Sequence, residues 1–259
     1  MTDGHVHLEK GPLTADYAME FVEEACRKGI TKLQILDHTH RFKEFKPLYE
    51  SMYFLDPQKK WLEPKLKDSL DDYYKLIEDL RSEKLPIDVS FGLEVCYFTY
   101  KEDFLRGILP DLPLDFCIGS VHEVFDIAYD CAWSKECLWD KFSADDIYKE
   151  YYKNVFACVE SGLFTQLGHP DTIKMFGIFP DYDLMPTYRS LAQLLNKYNV
   201  FAENNTGAYY RYNYPEIGLS DELLKVFKDN GCKMITVSDA HSPKDCGNYI
   251  SQIWDKTMN

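Results

Sequence analysis

Short apolar, β-branched runs alternate with stretches of helical periodicity along nearly the whole chain. The first run closes at Val6, and residues 17–25 then carry apolar positions at helical spacing. Thr14 is placed to cap that helix and Gly29 to end it. Residues 32–36 read as a second strand, with a helix from 69 to 80. Residues 87–93 read as a third strand, and 116–121 as a fourth, with a helix over 144–160. The short run 163–167 and the helical stretch 187–197 make a fifth unit, and 200–203 with 221–228 a sixth. Residues 234–238 form the seventh strand, after which the chain soon ends.

Strands that alternate with helices imply a parallel sheet. The count points to a barrel, or a barrel missing one unit, with an open doubly wound sheet as the alternative. No repeat, low-complexity tract or Gly/Ser linker interrupts the pattern, so 1–259 reads as one domain. Residues 40–64, with Pro47, Pro57 and Pro64, are too long for an ordinary strand-to-helix loop. Their aromatics and lysines predict a cover over the site.

Composition narrows the class. Hydrophobic residues make up 45% and charged residues 28%, a soluble globular balance. No apolar run approaches the ~18–20 residues of a membrane span, and the first residues lack the features of a secretory leader. A cytoplasmic protein without membrane contact is expected. The net charge of -14, from 43 acidic and 29 basic side chains, argues against a broad nucleic-acid surface. An anionic substrate would then need concentrated local positive charge, which bound metal ions supply. The eight cysteines are scattered and form no CxxC pair, so reduced thiols are expected.

The histidines carry the strongest signal. Of seven, His5 and His7 close the first strand, His38 the second, His122 the fourth and His169 the fifth, and His241 lies just past the seventh. Glu94 holds the matching place on the third strand, and Asp239 precedes His241. In a parallel barrel all these strand ends meet at one face, where active sites are built. His5 and His7, two apart on a strand, point to the same side. Scattered structural histidines would have put several on helices. Imidazole with carboxylate suits zinc, manganese or iron, and the donors outnumber the needs of one tetrahedral ion. Two to three divalent ions (Mn, Zn or Fe) are expected, with Glu94 able to bridge two.

At these residues the chain resembles the PHP family, named for polymerase and histidinol phosphatase. The matching pieces are Asp3-Gly4-His5-Val6-His7, Asp37-His38, Gly92-Leu93-Glu94, Gly119-Ser120-Val121-His122, Gly168-His169-Pro170-Asp171 and Ser238-Asp239-Ala240-His241, in family order. The stretch from Ala202 to Gly207, then Arg211 and Tyr214-Pro215, is similar to the histidinol-phosphatase branch, as is Lys174 after the fifth-strand motif. The resemblance implies a distorted seven-stranded (β/α)7 barrel, TIM-barrel-like. It implies that His5, His7, Glu94 and Asp239 hold one metal, that Glu94, His122 and His169 hold a second, and that His38 and His241 hold a third. Many family members carry a further histidine where this chain has Leu13. Either Glu9 substitutes for it, or the third site is weak or empty.

The reaction expected is hydrolysis of a phosphate monoester, the resemblance pointing to L-histidinol phosphate, a small phosphorylated metabolite. Two ions about 3.5–4 Å apart would hold a bridging hydroxide as nucleophile, with Glu94, Asp239 and His241 as the catalytic set. Arg41, Lys174 and Arg211 are candidates to grip the phosphate. Asp37 and Asp171, next to ligands, are candidates to orient imidazoles, and His40 has no assigned role. The rivals are a nuclease or phosphodiesterase, a metal-binding module without catalysis, and an amide hydrolase on a similar barrel.

Overall fold

Seven parallel strands lie side by side in chain order: Thr2–His7, Lys32–Leu36, Asp88–Cys96, Phe116–Ser120, Gln166–Leu167, Phe201–Asn205 and Met234–Val237. They come from a computed structural model, which describes residues 1–258. The first and seventh strands approach each other, so the sheet is a nearly closed barrel. One bridge joins Val6 to Ala240, and the His7 amide donates to the Ala240 carbonyl at 2.7 Å. Below it, the Ser238 amide and hydroxyl both donate to the buried Asp3 carboxylate, at 2.8 and 2.5 Å. The register of the first two strands slips between Asp3 and Val6. Gly4 lies in that slip, where a Cβ would meet Ile235 at 2.5 Å. Its missing side chain lets the barrel wall pinch inward.

Helices pack around this wall, and their starts follow the sequence. Thr14 accepts from the Tyr17 amide at the head of Ala15–Arg27. Ser69 and Ser143 do the same for Leu70–Ser82 and Ala144–Glu160. Gly29 has φ +75°, the left-handed conformation that ends the first helix at little cost. Helices Met185–Tyr198 and Asp221–Asp229 complete the predicted set. The fifth strand is two residues rather than five, because only Gln166 and Leu167 pair on both sides. The sequence pattern did not show helices Glu102–Ile108, Gly207–Tyr212 and Ile250–Met258, nor a hairpin pairing Glu123–Val124 with Ile127–Ala128. These are short, or fall in segments dominated by polar residues, where periodicity is weak.

Residues 40–64 fold over the strand ends as 3₁₀ turns (Lys43–Phe54) and a short helix (Asp56–Leu62). Phe45, Leu48, Tyr49, Met52 and Leu62 anchor this cover in the core. Buried Gln58 ties it to the hairpin: its amide donates to the carbonyls of Met52 and Asp126 and accepts from the Ala128 amide. The hairpin turns on two non-glycine residues at positive φ, Phe125 (56°) and Asp126 (61°), a conformation that persists only where the surroundings fix it. The eight cysteines are unpaired, and no helix among the described residues is long and apolar enough to cross a membrane.

Candidate metal centre

Glu94, at the C-terminal end of the third strand and only 1% exposed, is the hub of the site. Its Oε2 lies 3.2 Å from His5 Nε2, 3.3 Å from His7 Nε2 and 3.0 Å from His38 Nε2. Its Oε1 lies 3.2 Å from His122 Nε2 and 2.8 Å from His169 Nε2. Five histidines from four strand ends thus converge on one carboxylate. Burial pushes the Glu94 carboxyl up, but the positive potential of His38, His5 and His122 outweighs it and holds the group well below the usual range. Asp239 closes the other side, with Oδ1 3.4 Å from His7 Nε2 and 4.0 Å from His5 Nε2. Asp239 and His169 both sit at positive φ, 56° and 26°. Such strain in non-glycine residues is characteristic of functional sites.

Partners behind the imidazoles fix which nitrogen faces inward. His5 Nδ1 donates to Glu203 Oε1 at 2.7 Å, and His241 Nδ1 to the Asp239 carbonyl at 2.9 Å. In each ring Nε2 is therefore the nitrogen turned into the cluster. His5 Nε2 and His7 Nε2 face each other at 2.8 Å, an arrangement suited to two lone pairs that share a cation. Burial, and His7 beside it, hold His38 down to about 4, whereas the carboxylates around them outweigh burial and raise His5, His7 and His122. The donor set therefore fits divalent ions of the zinc, manganese and iron type. His7, His5 and Asp239 form one compact triplet of donor atoms, and His38, Glu94 and His122 another.

Glu9 joins a further group. Its Oε2 is 3.3 Å from His38 Nδ1 and 3.6 Å from His40 Nε2, and its Oε1 is 3.3 Å from His241 Nε2. Leu13 is partly buried and packs against the hydrophobic core. His40, buried and with its ring 5.5 Å from that of Trp61, is thus drawn to the edge of the same cluster.

Glu203 was missed in the sequence. It is fully buried and accepts from His5 Nδ1, from Gln166 Nε2 at 2.7 Å and from the His169 amide at 2.9 Å. The available signal was an acid directly after the apolar run Val200-Phe201-Ala202. Asn205, two residues on and on the same face, reaches Asp239 Oδ2 at 3.4 Å.

The three candidate phosphate cations are placed differently. Arg211 Nη1 lies 3.1 Å from Asp239 Oδ2, and the side chain lines the cavity above the cluster with Tyr212, Met175 and Thr172. Arg41 does not face that cavity. It is 3% exposed, with its guanidinium held by Asp37 at 2.6 Å, Asp68 at 2.5 Å and the Gly11 carbonyl at 2.9 Å. Lys174 points into a separate aromatic hollow, where Asp171 at 2.7 Å, Glu216 and the Gly218 carbonyl hold it. The two aspartates expected to orient imidazoles serve these cations instead. Asp37 Oδ1 stops 3.9 Å from His7 Nδ1, and Asp171 accepts from Lys174 and the Ser220 amide.

A barrel with this ring of histidines and carboxylates at its strand ends defines a metal-centred hydrolase scaffold. Residues 3–207 match the family model described as the PHP domain, and the chain belongs to that family. It is 27% identical over 266 residues to the histidinol-phosphatase of Bacillus subtilis, covering 95% of each chain. It is 24% identical over 257 residues to a Deinococcus radiodurans protein named "Probable histidinol-phosphatase", covering 95% of this chain and 88% of that one. The fold is similar to that of histidinol phosphate phosphatase from Lactococcus lactis, solved in complex with zinc, L-histidinol and phosphate. The TM-score is 0.69 at 19% identity, covering 100% of this chain and 94% of that one.

Proposed function

We propose that this protein is a metal-dependent phosphate monoester hydrolase that acts on L-histidinol phosphate. The observation that carries the reading is the convergence of five imidazole nitrogens on Glu94 beneath a cavity that also holds Arg211. The two curated relatives named above support the choice of substrate.

His5, His7, Glu94 and Asp239 would hold one ion, Glu94, His122 and His169 a second, and His38, His241 and Glu9 a third. Bound together, such ions supply a nucleophilic water at neutral pH and positive charge for the phosphate. The chain's own residues do the rest. Glu203 and the Asp239 carbonyl keep the imidazole nitrogens aimed inward. Arg211 offers its guanidinium fork to the phosphate oxygens. The cover formed by residues 40–64 brings Tyr49 and Trp61 over the cavity, which suits a small ester better than a polymer.

Two tests follow from the assignments. Arg211→Ala is expected to lower kcat/KM for the monoester by roughly ten- to a hundredfold, the scale of a hydrogen bond to a charged group. Inhibition by free phosphate weakens in parallel, and metal content by elemental analysis stays constant. If kcat/KM and phosphate inhibition both stay within about twofold, Arg211 does not grip the phosphate. Glu9→Ala is expected to lower the metal stoichiometry by one ion per chain while the circular dichroism spectrum is unchanged. An unchanged stoichiometry would remove Glu9 from the cluster.

A further inference from the structure

The cavity above the cluster must admit a phosphate dianion, yet part of its wall is acidic. Glu123 and Asp130 both line it, and neither belongs to the ligand set. Glu123 is only 5% exposed. Among the described residues its carboxylate has one side-chain partner, the Cys96 thiol, at 3.0 and 2.8 Å from its two oxygens. A thiol is a weak donor. Asp130 receives only a 3.8 Å contact from the Cys131 thiol. Neither carboxylate has a lysine or arginine against it among the described residues, unlike Asp37, Asp68 and Asp171 elsewhere in the chain.

A buried carboxylate without a cation is costly. A second anion brought into the same cavity raises that cost through direct repulsion. Both costs fall if the molecule that brings the phosphate also brings a positive charge at its other end. The hairpin holds Glu123 in place for this. Glu123 pairs with Ala128 across the two strands, the turn uses Phe125 and Asp126 at positive φ, and Gln58 locks the turn to the cover. Asp130 lies in the bend two residues past the end of the hairpin at Ala128.

We propose that Glu123 and Asp130 form a subsite for the ammonium group of the substrate, so that the enzyme selects aminoalkyl phosphate monoesters over uncharged ones. Three ammonium hydrogens match a pair of carboxylates whose side-chain hydrogen-bond partners among the described residues are thiols, and a charge-assisted contact is roughly twice as strong as a neutral one. The inference rests on the phosphatase reading and assigns the residues that meet the ammonium group of its substrate.

The test compares L-histidinol phosphate with its deamino analogue, 3-(imidazol-4-yl)propyl phosphate, on the metal-loaded protein. The wild-type chain is expected to favour the amine ester in kcat/KM by roughly ten- to a hundredfold. In Glu123→Gln that preference is expected to collapse to within about threefold, with metal content unchanged. Asp130→Asn, at a less buried position, is expected to lower it in the same direction and serves if the first variant does not fold. A wild-type chain that treats both esters alike, or a preference that survives both substitutions, overturns the subsite while leaving the phosphatase reading intact. Failure to hydrolyse either ester overturns the phosphatase reading, and the subsite with it.

Discussion

Stripping divalent ions with a chelator is expected to abolish phosphate release, and adding back manganese, zinc or iron to restore it. The cluster explains why nothing else in the cavity substitutes. Arg211 is the one lysine or arginine among the described cavity-lining residues, and it is already paired with Asp239. Without ions, imidazoles packed with ring centroids 4.1–4.7 Å apart, as in His7 with His38 and His5 with His7, crowd around Glu94 and Asp239. Ion binding therefore also stabilises the fold. With free ion at about a thousand times its Kd the linkage is worth about 4 kcal/mol, which for a chain of this size raises Tm by on the order of 10 °C. Turnover at the wild-type rate by protein shown to be metal-free would contradict the assignment.

Glu94→Gln is expected to lower kcat/KM by on the order of a thousandfold or more, about 4 kcal/mol in the barrier. The amide keeps the size of the side chain but removes the negative charge shared by His5, His7, His38, His122 and His169. Metal occupancy should fall with activity, measured by elemental analysis of the same sample. The barrel should persist, because the strand at Glu94 is held through its backbone, with the Glu94 amide donating to the Asp37 carbonyl at 3.0 Å. Full metal content with normal turnover would remove Glu94 from the centre.

The parts of the site that were readable in the sequence share one property: they are fixed by strand position. His38, Glu94, His122 and His169 each end or closely follow a run of apolar character, His5 and His7 share the short first strand, and parallel strands bring such ends together. Glu203 is also on a strand but could not be separated from a solvent-facing acid, because side-chain alternation does not say which face turns inward. The cations show a different limit. Arg41 and Lys174 lie close in sequence to ligands, but what decides their role is their partners. Asp37 and Asp171 are local, four and three residues away, and such spacings are equally common on solvent-facing pairs. Asp68, 27 positions from Arg41, and Glu216, 42 from Lys174, complete the two clamps, and no local pattern shows them. The hairpin that places Glu123 was hidden for a related reason: its strands are two residues long, and its turn has none of the Asn-Gly or Asp-Gly pairs that mark such turns.

The central claim is that this cluster hydrolyses a small phosphate monoester. The most direct measurement is to incubate the metal-loaded protein separately with L-histidinol phosphate, 4-nitrophenyl phosphate and a single-stranded oligonucleotide, and to follow inorganic phosphate and strand length. The account predicts phosphate release from L-histidinol phosphate with kcat/KM at least about tenfold above that for 4-nitrophenyl phosphate, and an intact oligonucleotide. Cleavage of the oligonucleotide with no phosphate released from L-histidinol phosphate would contradict it.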